Sequence, residues 1–180
     1  MATSDIIKTE RLIIKPFSEK YLTKKYVSWL NNPEVVRYSE QRHKKHTVKT
    51  CRAYLRLFEK GPNYFWAISV IKDKLGHIGN MTAYADEINS VADIGILIGE
   101  TKAWGKGYAT EAWMAVCSYL FTIKNIRKIT AGTISSNKRM LKLMKRTGMI
   151  NDGVRRKHYI WENNKVDVVH KAIFREDFRK

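Results

Sequence analysis

The sequence has few of the features that mark secreted or membrane proteins. It contains two cysteines, Cys51 and Cys117, and three prolines in 180 residues. Two distant cysteines exclude a disulfide-rich scaffold and lack the paired spacing of a zinc site, so we expect reduced thiols in the core. There is no run of about 18 apolar residues, and the first residues do not resemble a secretory signal. We therefore expect a cytoplasmic protein without a membrane span.

Acidic residues are scarce relative to basic ones. The 34 Lys and Arg residues outnumber 17 Asp and Glu residues, which leaves a formal net charge of +17. Such an excess favours polyanionic partners such as nucleic acid, ribosomes or a phosphorylated coenzyme, although a solvated basic surface is an equal alternative. The chain shows no repeat, low-complexity tract or linker, and its length suits one core. We therefore predict a single domain over residues 1–180.

Hydrophobic periodicity predicts a mixed α/β order of elements. A strand over residues 11–16 precedes two helices, the first capped by Ser18 and the second beginning at Thr47. Strands follow over residues 64–71, 77–84 and 92–98, then an amphipathic helix over 107–122. A strand over 126–133, a helix over 137–146 and a final hairpin that turns at Asn163 and Asn164 complete the chain. This order is typical of a mixed sheet and not of a doubly wound one.

The segment from residue 93 to residue 111 carries the clearest chemical signal. Gly105 and Gly107 allow backbone amides to approach a ligand, the helix N-terminus favours negative charge, and Lys102 and Lys106 add positive charge. The segment lacks the Gly-Lys-Ser/Thr of a P-loop, and basic residues stand about twenty positions later, where a dinucleotide-binding fold has an acid. These residues alone leave open a phosphate-binding turn and a plain connection between a strand and a helix.

Several motifs in order resemble the GNAT N-acetyltransferases. Trp104-Gly-Lys-Gly-Tyr-Ala109 is similar to their pyrophosphate loop, with Trp104 where Arg or Gln is usual. This substitution and the following Thr-Glu-Ala112 resemble the branch of ribosomal-protein N-terminal acetyltransferases and related small-molecule enzymes. Thr9-Glu-Arg-Leu12, Trp29-Leu-Asn-Asn-Pro-Glu-Val35 and Asp167 extend the similarity over nearly the whole chain. The resemblance implies a mostly antiparallel sheet that is splayed between its fourth and fifth strands and flanked by about four helices.

The resemblance also implies acetyl-CoA as cosubstrate and no metal. The backbone of Ile96, Leu97 and Ile98 would pair with the pantetheine arm like an added strand. Asn137 stands where the family often bonds the pantetheine arm, although a helix cap is an equal alternative. Amides of the glycine loop would hold the pyrophosphate, and these belong to Trp104, Gly105, Lys106, Gly107, Tyr108, Ala109 and Thr110.

For catalysis, the resemblance implies that Asp93 stands where some members place a catalytic Glu. An edge carboxylate in a salt bridge is the competing interpretation. Asp93 shares a strand face with Gly95, which leaves room for an acceptor. Met144 occupies the place of the Tyr that protonates the departing thiolate in many members. Met140 occupies a place where one related type of enzyme has Ser. Because a thiol has a pKa of about 8.5, the coenzyme can depart as thiolate without that acid.

The acceptor site would lie between the early helices and the final hairpin. Its implied lining comprises Trp29, Asn31, Arg37 and Tyr84, with Tyr38, His158 and Tyr159 beside them. The basic segment from residue 37 to residue 46 contains a His-x-x-His pair, but an anion-facing loop is favoured over a metal site.

We therefore predict an acetyl-CoA-dependent N-acetyltransferase that acts on a primary amine. The acceptor is either a small amine, such as a nucleotide-linked amino sugar, or a protein amino terminus, and the charge suits an anionic acceptor. The alternative is a non-enzymatic nucleic-acid-binding protein, because aromatic residues alternate with Lys and Arg between residues 155 and 161. A homodimer is left open.

Overall fold

One sheet of eight strands organises the chain. The computed structural model describes residues 6–72 and 75–178. The strands are β1 (Ile7–Lys8), β2 (Leu12–Pro16), β3 (Tyr64–Val70), β4 (His77–Asp86), β5 (Val91–Ile98), β6 (Lys128–Ile134), β7 (Ile150–Trp161) and β8 (Asn164–Phe174). Their order across the sheet is β1-β2-β3-β4-β5-β6-β8-β7. Every neighbouring pair is antiparallel except β5 and β6, which confirms the predicted mixed α/β fold with a mostly antiparallel sheet.

Five α-helices accompany the sheet in the described part of the chain. They are α1 (Lys24–Leu30), α2 (Pro33–Val36), α3 (Val48–Arg56), α4 (Tyr108–Thr122) and α5 (Lys138–Arg146). Thr47 caps α3 in a reciprocal capping box with Thr50, as the sequence predicts for the start of this helix. The prediction of Ser18 as the cap of α1 is wrong. A separate turn occupies Glu19–Tyr21, and Thr23 accepts the capping hydrogen bond from the Tyr26 N–H.

The two parallel strands separate after only three paired residues. Val91, Ala92 and Asp93 of β5 pair with Lys128, Ile129 and Thr130 of β6. Beyond them, residues 94–98 and 131–134 have no pairing between β5 and β6, although both strands continue. We call this opening the split. It is the splay predicted between the fourth and fifth strands, which are fifth and sixth here because the two-residue β1 precedes them.

The two faces of the sheet bury different helices. The larger cluster includes Trp66, Ile94 and Trp113, and it lies on the side of α4 and α5. A second cluster contains Trp29, Phe65 and Leu55, and it lies on the side of α1 and α3. Because side chains alternate along a strand, Asp93, Gly95 and Leu97 of β5 face the second side. We call this second side the acceptor face. The free thiols of Cys51 and Cys117 are both buried.

Candidate active site

The backbone of β5 offers polar groups to the split at alternate residues. The Gly99 N–H donates to the carbonyl of Ile78 on β4, at 3.0 Å. Because successive residues of a strand direct their N–H and C=O groups to opposite sides, Leu97 also faces β4, whereas Ile96 and Ile98 face the split. Of the three residues predicted to pair with pantetheine, Ile96 and Ile98 thus have a suitable orientation. The side chain of Leu97 contributes to the acceptor face.

The glycine loop follows β5 directly and opens α4. Both glycines have positive backbone φ angles, 76° at Gly105 and 82° at Gly107, in the left-handed region that L side chains avoid. Gly107 immediately precedes α4, so the unpaired amides of the first helical turn lie beside the loop. The Trp104 indole N–H donates to the carbonyl of Ile98 at 2.8 Å and thereby fixes the loop to the end of β5.

Two residues that sequence reasoning did not single out hold this loop in place. Glu111 accepts hydrogen bonds from the Thr9 hydroxyl at 2.5 Å, the Arg11 N–H at 3.0 Å and the Arg11 Nε at 2.6 Å. Arg11 also donates from Nη1 to the Lys106 carbonyl at 2.9 Å, and its guanidinium lies over the Tyr108 ring. Both residues belong to the two matching motifs, Thr9-Glu-Arg-Leu12 and the run that ends at Ala112. Their occurrence in those motifs is the sequence signal from which their role at the loop could have been inferred.

The first turn of α5 borders the same loop. The Arg139 guanidinium lies 5.1 Å from the centre of the Trp104 ring, which adds a positive charge that sequence reasoning missed. The side chain of Asn137 caps α5 by accepting from the Met140 N–H at 3.2 Å, and it donates to the Thr133 hydroxyl at 3.0 Å. The helix-cap alternative for Asn137 is therefore present in the structure.

Asp93 stands at the closed end of the split, on the acceptor face. It belongs to the last pair of β5 with β6, and its Oδ2 accepts a hydrogen bond from the Thr130 hydroxyl at 2.7 Å. The residue as a whole is exposed, yet the protein around the carboxylate desolvates it enough to raise its pKa. The hydrogen bond from Thr130 and the charge of His170 oppose this rise in pKa. Among the described residues Asp93 forms no salt bridge, which was the competing interpretation of this carboxylate.

The predicted acceptor residues have different surroundings. Tyr84 lies opposite Asp93 on β4, is 45% exposed, and shares a hydrogen bond of 2.7 Å with the Tyr54 hydroxyl. Trp29 is 6% exposed, and a side chain at Gly99 would overlap its ring, so it packs in the core beneath the end of β5. The prediction of Trp29 as a lining residue does not match this burial. Asn31 ties the basic segment to α1 through hydrogen bonds with the backbone of His46 at 2.9 Å.

A basic pocket of about 370 Å³ opens beside these residues. One wall belongs to α1 and α2, which are fixed to the end of β5 by the ion pair of Lys25 with Glu100 at 2.9 Å. The other wall is the tip of the hairpin formed by β7 and β8, and β8 pairs with β6. The two walls therefore belong to opposite sides of the split. The lining residues are Leu30, Asn31, Pro33, Val36, Arg37, Arg42, Lys44, Lys45, Trp161 and Glu162.

Contacts join the two walls of the pocket. Arg37 pairs with Glu162 of the hairpin at 2.7 Å, and the Trp161 indole N–H donates to the Arg37 carbonyl at 3.0 Å. Arg42 donates from Nη2 to the Ile160 carbonyl at 3.0 Å. No carboxylate of the described residues forms an ion pair with Lys44 or Lys45. The pocket therefore keeps an excess of positive charge.

A family model described as the acetyltransferase (GNAT) domain matches residues 11–150. The chain belongs to the GNAT acetyltransferase family. The match includes the glycine loop, both strands of the split and Asp93. None of the comparisons supports the alternative of a non-enzymatic nucleic-acid-binding protein.

Known relatives of this GNAT chain are distant in sequence and close in fold. An uncharacterized N-acetyltransferase p20 from Bacillus licheniformis is 28% identical over 93 residues, which cover 52% of each protein. The match thus spans about half the length of that relative. The spermidine N-acetyltransferase from Vibrio cholerae, in complex with CoA and spermine, has a TM-score of 0.82 and 18% identity over 94% of this chain and 98% of its own. RimL, a ribosomal-protein acetyltransferase in complex with coenzyme A, has a TM-score of 0.82 and 14% identity with the same coverage.

Two methionines of this GNAT chain stand where the family often has a Tyr acid, at Met144, and where one related type has Ser, at Met140. Met144 is fully buried in the larger cluster, and Met140 packs against that cluster. The described residues contain no group of three or more His, Cys, Asp or Glu side chains arranged to hold a metal. Within residues 6–72 and 75–178, no helix has the length and apolar character needed to cross a membrane.

Proposed function

We propose that this chain is an acetyl-CoA-dependent N-acetyltransferase that transfers the acetyl group to a primary amine by direct attack on the thioester. The observation that carries the proposal is the split between β5 and β6, which ends at the glycine loop and the start of α4. An extended ligand in the split meets strand-like backbone groups along its length. At the loop it meets amides and positive charge suited to phosphate.

For the coenzyme, we assign the pantetheine arm to the backbone of Ile96 and Ile98. The pyrophosphate lies against the amides of residues 104–110, and Arg139 adds positive charge near them. The Ile98 carbonyl already accepts from Trp104, which leaves Ile96 as the main strand-like partner. When bound, the coenzyme supplies the acetyl thioester.

For the chemistry, we assign proton acceptance to Asp93. An ammonium group must lose a proton before its nitrogen can attack the thioester carbon. Because desolvation raises the pKa of Asp93, its carboxylate is a stronger base than an ordinary surface aspartate. The distance from the short Asp side chain to the amine is bridged by water. The departing thiolate takes its proton from solvent, since Met144 and Met140 cannot supply one.

For the acceptor, we propose an amine that carries an anionic group. Arg37, Arg42, Lys44 and Lys45 line the basic pocket beside the mouth of the split. Guanidinium groups bind phosphate oxygens bidentately, which suits the diphosphate of a nucleotide-linked amino sugar. A protein amino terminus beside acidic residues is the second acceptor class. The single domain over residues 1–180, a cytoplasmic location and a homodimer stay predictions.

The test measures coenzyme A thiol release from acetyl-CoA with separate amines: an amino-sugar nucleotide, the same amino sugar without phosphate, a polyamine and a peptide with a free amino terminus. We expect release with at least one amine, and faster release with the phosphorylated sugar than with its neutral counterpart. No release above background with any amine, together with no rise of the melting temperature by coenzyme A, contradicts the proposal.

Gly107→Val tests the coenzyme site separately. The left-handed φ angle at Gly107 costs a β-branched residue about 1–2 kcal/mol or more, and the side chain would crowd the Arg11 guanidinium. We expect the Kd for coenzyme A, measured by calorimetry, to rise at least about tenfold, the factor that corresponds to 1.4 kcal/mol. Gly76→Val serves as the matched control, because Gly76 also has a positive φ angle but lies in the turn before β4. An unchanged Kd in Gly107→Val would mean that the phosphates bind elsewhere.

A further inference from the structure

A histidine on the far side of the split has an unsatisfied ring nitrogen. His170 lies on β8, opposite Gly132 of β6. Its Nε2 is enclosed by protein and has no hydrogen-bond partner among the described residues. An enclosed polar atom without a partner is costly, so such an atom in a native fold indicates a ligand, a water or a catalytic role. The chemistry assigned above to Asp93 does not use His170.

Glycines leave space on the side of the His170 ring that faces the split. A Cβ built on Gly132 would lie 3.0 Å from both Cε1 and Nδ1 of His170, so the imidazole covers the Gly132 backbone. Directly paired residues project to the same face of a sheet, which places His170, Gly132, Thr130 and Asp93 together on the acceptor face. When the parallel register of β5 and β6 is continued beyond their last pair, Gly95 stands across the split from Gly132. Neither glycine carries a side chain, so neither position blocks the acceptor face between Asp93 and His170.

Two protons leave the nitrogen during the reaction, so this place has work for two acceptors. A primary ammonium group carries three protons on nitrogen, whereas the amide product keeps one. One proton leaves before attack and frees the nitrogen lone pair. The second leaves as the C–N bond forms and the C–S bond breaks, with the electron pair of that bond departing on sulfur. Both protons pass from their acceptors to solvent, and the coenzyme A thiolate takes one proton from solvent, so one proton is released overall.

We propose that His170 is a second proton acceptor of the acetyl-transfer site, with its ring on the side of the split opposite Asp93. The inference rests on the proposed acetyltransferase function and extends it. Asp93 takes the first proton, through water, and the imidazole of His170 takes the second. Asp93 returns its proton to solvent before the second step, so its carboxylate, held in place by the Thr130 hydroxyl, stabilises the imidazolium that then forms. Histidine suits this role because it changes charge in the physiological pH range.

Besides the basic pocket, the neighbouring strands bring a small set of charged or titratable groups to this face. On β6, Lys128 forms an ion pair with Asp152 at 2.8 Å. On β7, Arg155 lies opposite Val168 on the same face as His170, and Gly153 lies opposite His170 itself. On β4, Tyr84 faces Asp93 and shares a hydrogen bond with Tyr54 of α3. Asp93 is the carboxylate on β5 to which the charge of His170 couples.

The test compares the pH dependence of kcat/KM in the wild type, Asp93→Asn and His170→Gln. Glutamine keeps a polar side chain of similar reach and has no titration between pH 5 and 8. If two groups must be deprotonated, kcat/KM of the wild type falls more steeply at low pH than loss of one acceptor alone would cause. In each variant, kcat/KM should fall with the slope of a single deprotonation. We expect kcat to fall by about 10²-fold in His170→Gln, the lower bound for loss of a general base. Lys171→Gln, on the opposite face of β8, keeps the wild-type profile.

Two further measurements test the role of His170 in other ways. Gly132→Ala retains the histidine but displaces its ring, and we expect it to lower kcat in the same direction as His170→Gln. The Asp93 carboxyl, followed by NMR without any substrate, should titrate at a higher pKa in His170→Gln, because a positive charge is removed. An unchanged acid limb in His170→Gln, or an unchanged Asp93 titration, would overturn the inference. Failure of the proposed function is distinguishable, because it appears as absent thiol release in the wild type.

Discussion

The carboxylate of Asp93 depends on one hydroxyl group for its position. Thr130 donates to its Oδ2 at the last paired residues of β5 and β6, immediately before the split. This hydrogen bond lowers the pKa of Asp93, while desolvation raises it further than the hydrogen bond can offset. The position of the carboxylate therefore depends on a residue 37 positions away in sequence, whereas its basicity comes mainly from desolvation by the protein around it.

Asp93→Asn should lower kcat by about 10²- to 10⁴-fold, because it removes a proton acceptor from the site. The Kd for coenzyme A should stay within about twofold of the wild-type value, since the residue is assigned no contact with the coenzyme. Thr130→Val is a milder variant for comparison, because it keeps the Asp93 carboxylate and removes only the hydrogen bond to it. It raises the pKa of Asp93, so the acid limb of the pH profile should move to higher pH. A wild-type kcat in Asp93→Asn across the pH range would remove Asp93 from the mechanism.

His77 predicts how stability changes with pH. Burial lowers its pKa from 6.5 to about 4, with a further decrease from the charge of Lys25, while a hydrogen bond to the Gly79 carbonyl opposes the change. The folded protein thus holds His77 neutral, whereas the unfolded chain binds a proton below pH 6.5. The stabilisation is complete above pH 6.5 and is lost as the pH falls towards 4, up to about 3 kcal/mol.

Urea unfolding at about pH 7 and about pH 4.5 measures this loss, because the free energy of unfolding is read directly at each pH. His77→Phe is the matched variant, since a phenyl ring keeps the aromatic contacts with Tyr21 and Trp29 but cannot be protonated. The difference between the two pH values should be smaller in this variant. An equal difference in both proteins would show that other groups cause the acid sensitivity.

At the scale of elements, the start of α4 is held by the turn between β1 and β2. Glu111 binds Thr9 and Arg11 of the segment that enters β2. Burial alone would raise the pKa of Glu111, but the hydrogen bonds from Thr9 and Arg11 and the charge of Arg11 bring it below its ordinary value. The glycine loop is therefore fixed from both sides, by Arg11 at Lys106 and by Trp104 at Ile98.

Glu111→Ala should reduce the free energy of unfolding by about 2–3 kcal/mol, because several charge-assisted hydrogen bonds lose their acceptor. It should also raise the Kd for coenzyme A, since the loop is no longer held by Arg11. Chemical denaturation and calorimetry measure the two effects. Glu59→Ala, at an exposed position after α3, is the control and should change neither. A Glu111→Ala variant with parental stability and affinity would show that the loop needs no such support.

At the scale of the whole molecule, the net charge of +17 acts over a longer range than any single contact. It would attract the phosphates of the proposed coenzyme before binding, and salt would screen that attraction. Raising the ionic strength from about 0.01 M to about 1 M shortens the Debye length from about 30 Å to about 3 Å. We expect kcat/KM for acetyl-CoA to fall about tenfold or more over this range while kcat changes little, as steady-state kinetics in both conditions will show. A constant kcat/KM would mean that the charge serves another partner.

The elements were predictable because their signals are local. Thr47 and Thr50 are three residues apart and define the start of α3, and alternation along β5 indicates that Asp93 and Gly95 share a face. Gly105 and Gly107 mark a loop in which positive φ angles occur. Ser18 misled because a separate turn over Glu19–Tyr21 lies between it and α1, and Thr23, five residues later, caps that helix.

The sequence by itself determined the fold class, the glycine loop and the strand that borders the split. Tertiary structure alone decided the pairing of Arg11 with Glu111, the placement of His170 against Gly132 and the joining of Arg37 to the hairpin tip. Each of these contacts joins residues far apart in the chain. Periodicity fixes which side of its own element a residue faces, whereas the distance between two elements depends on sheet register and helix packing, which no local pattern contains.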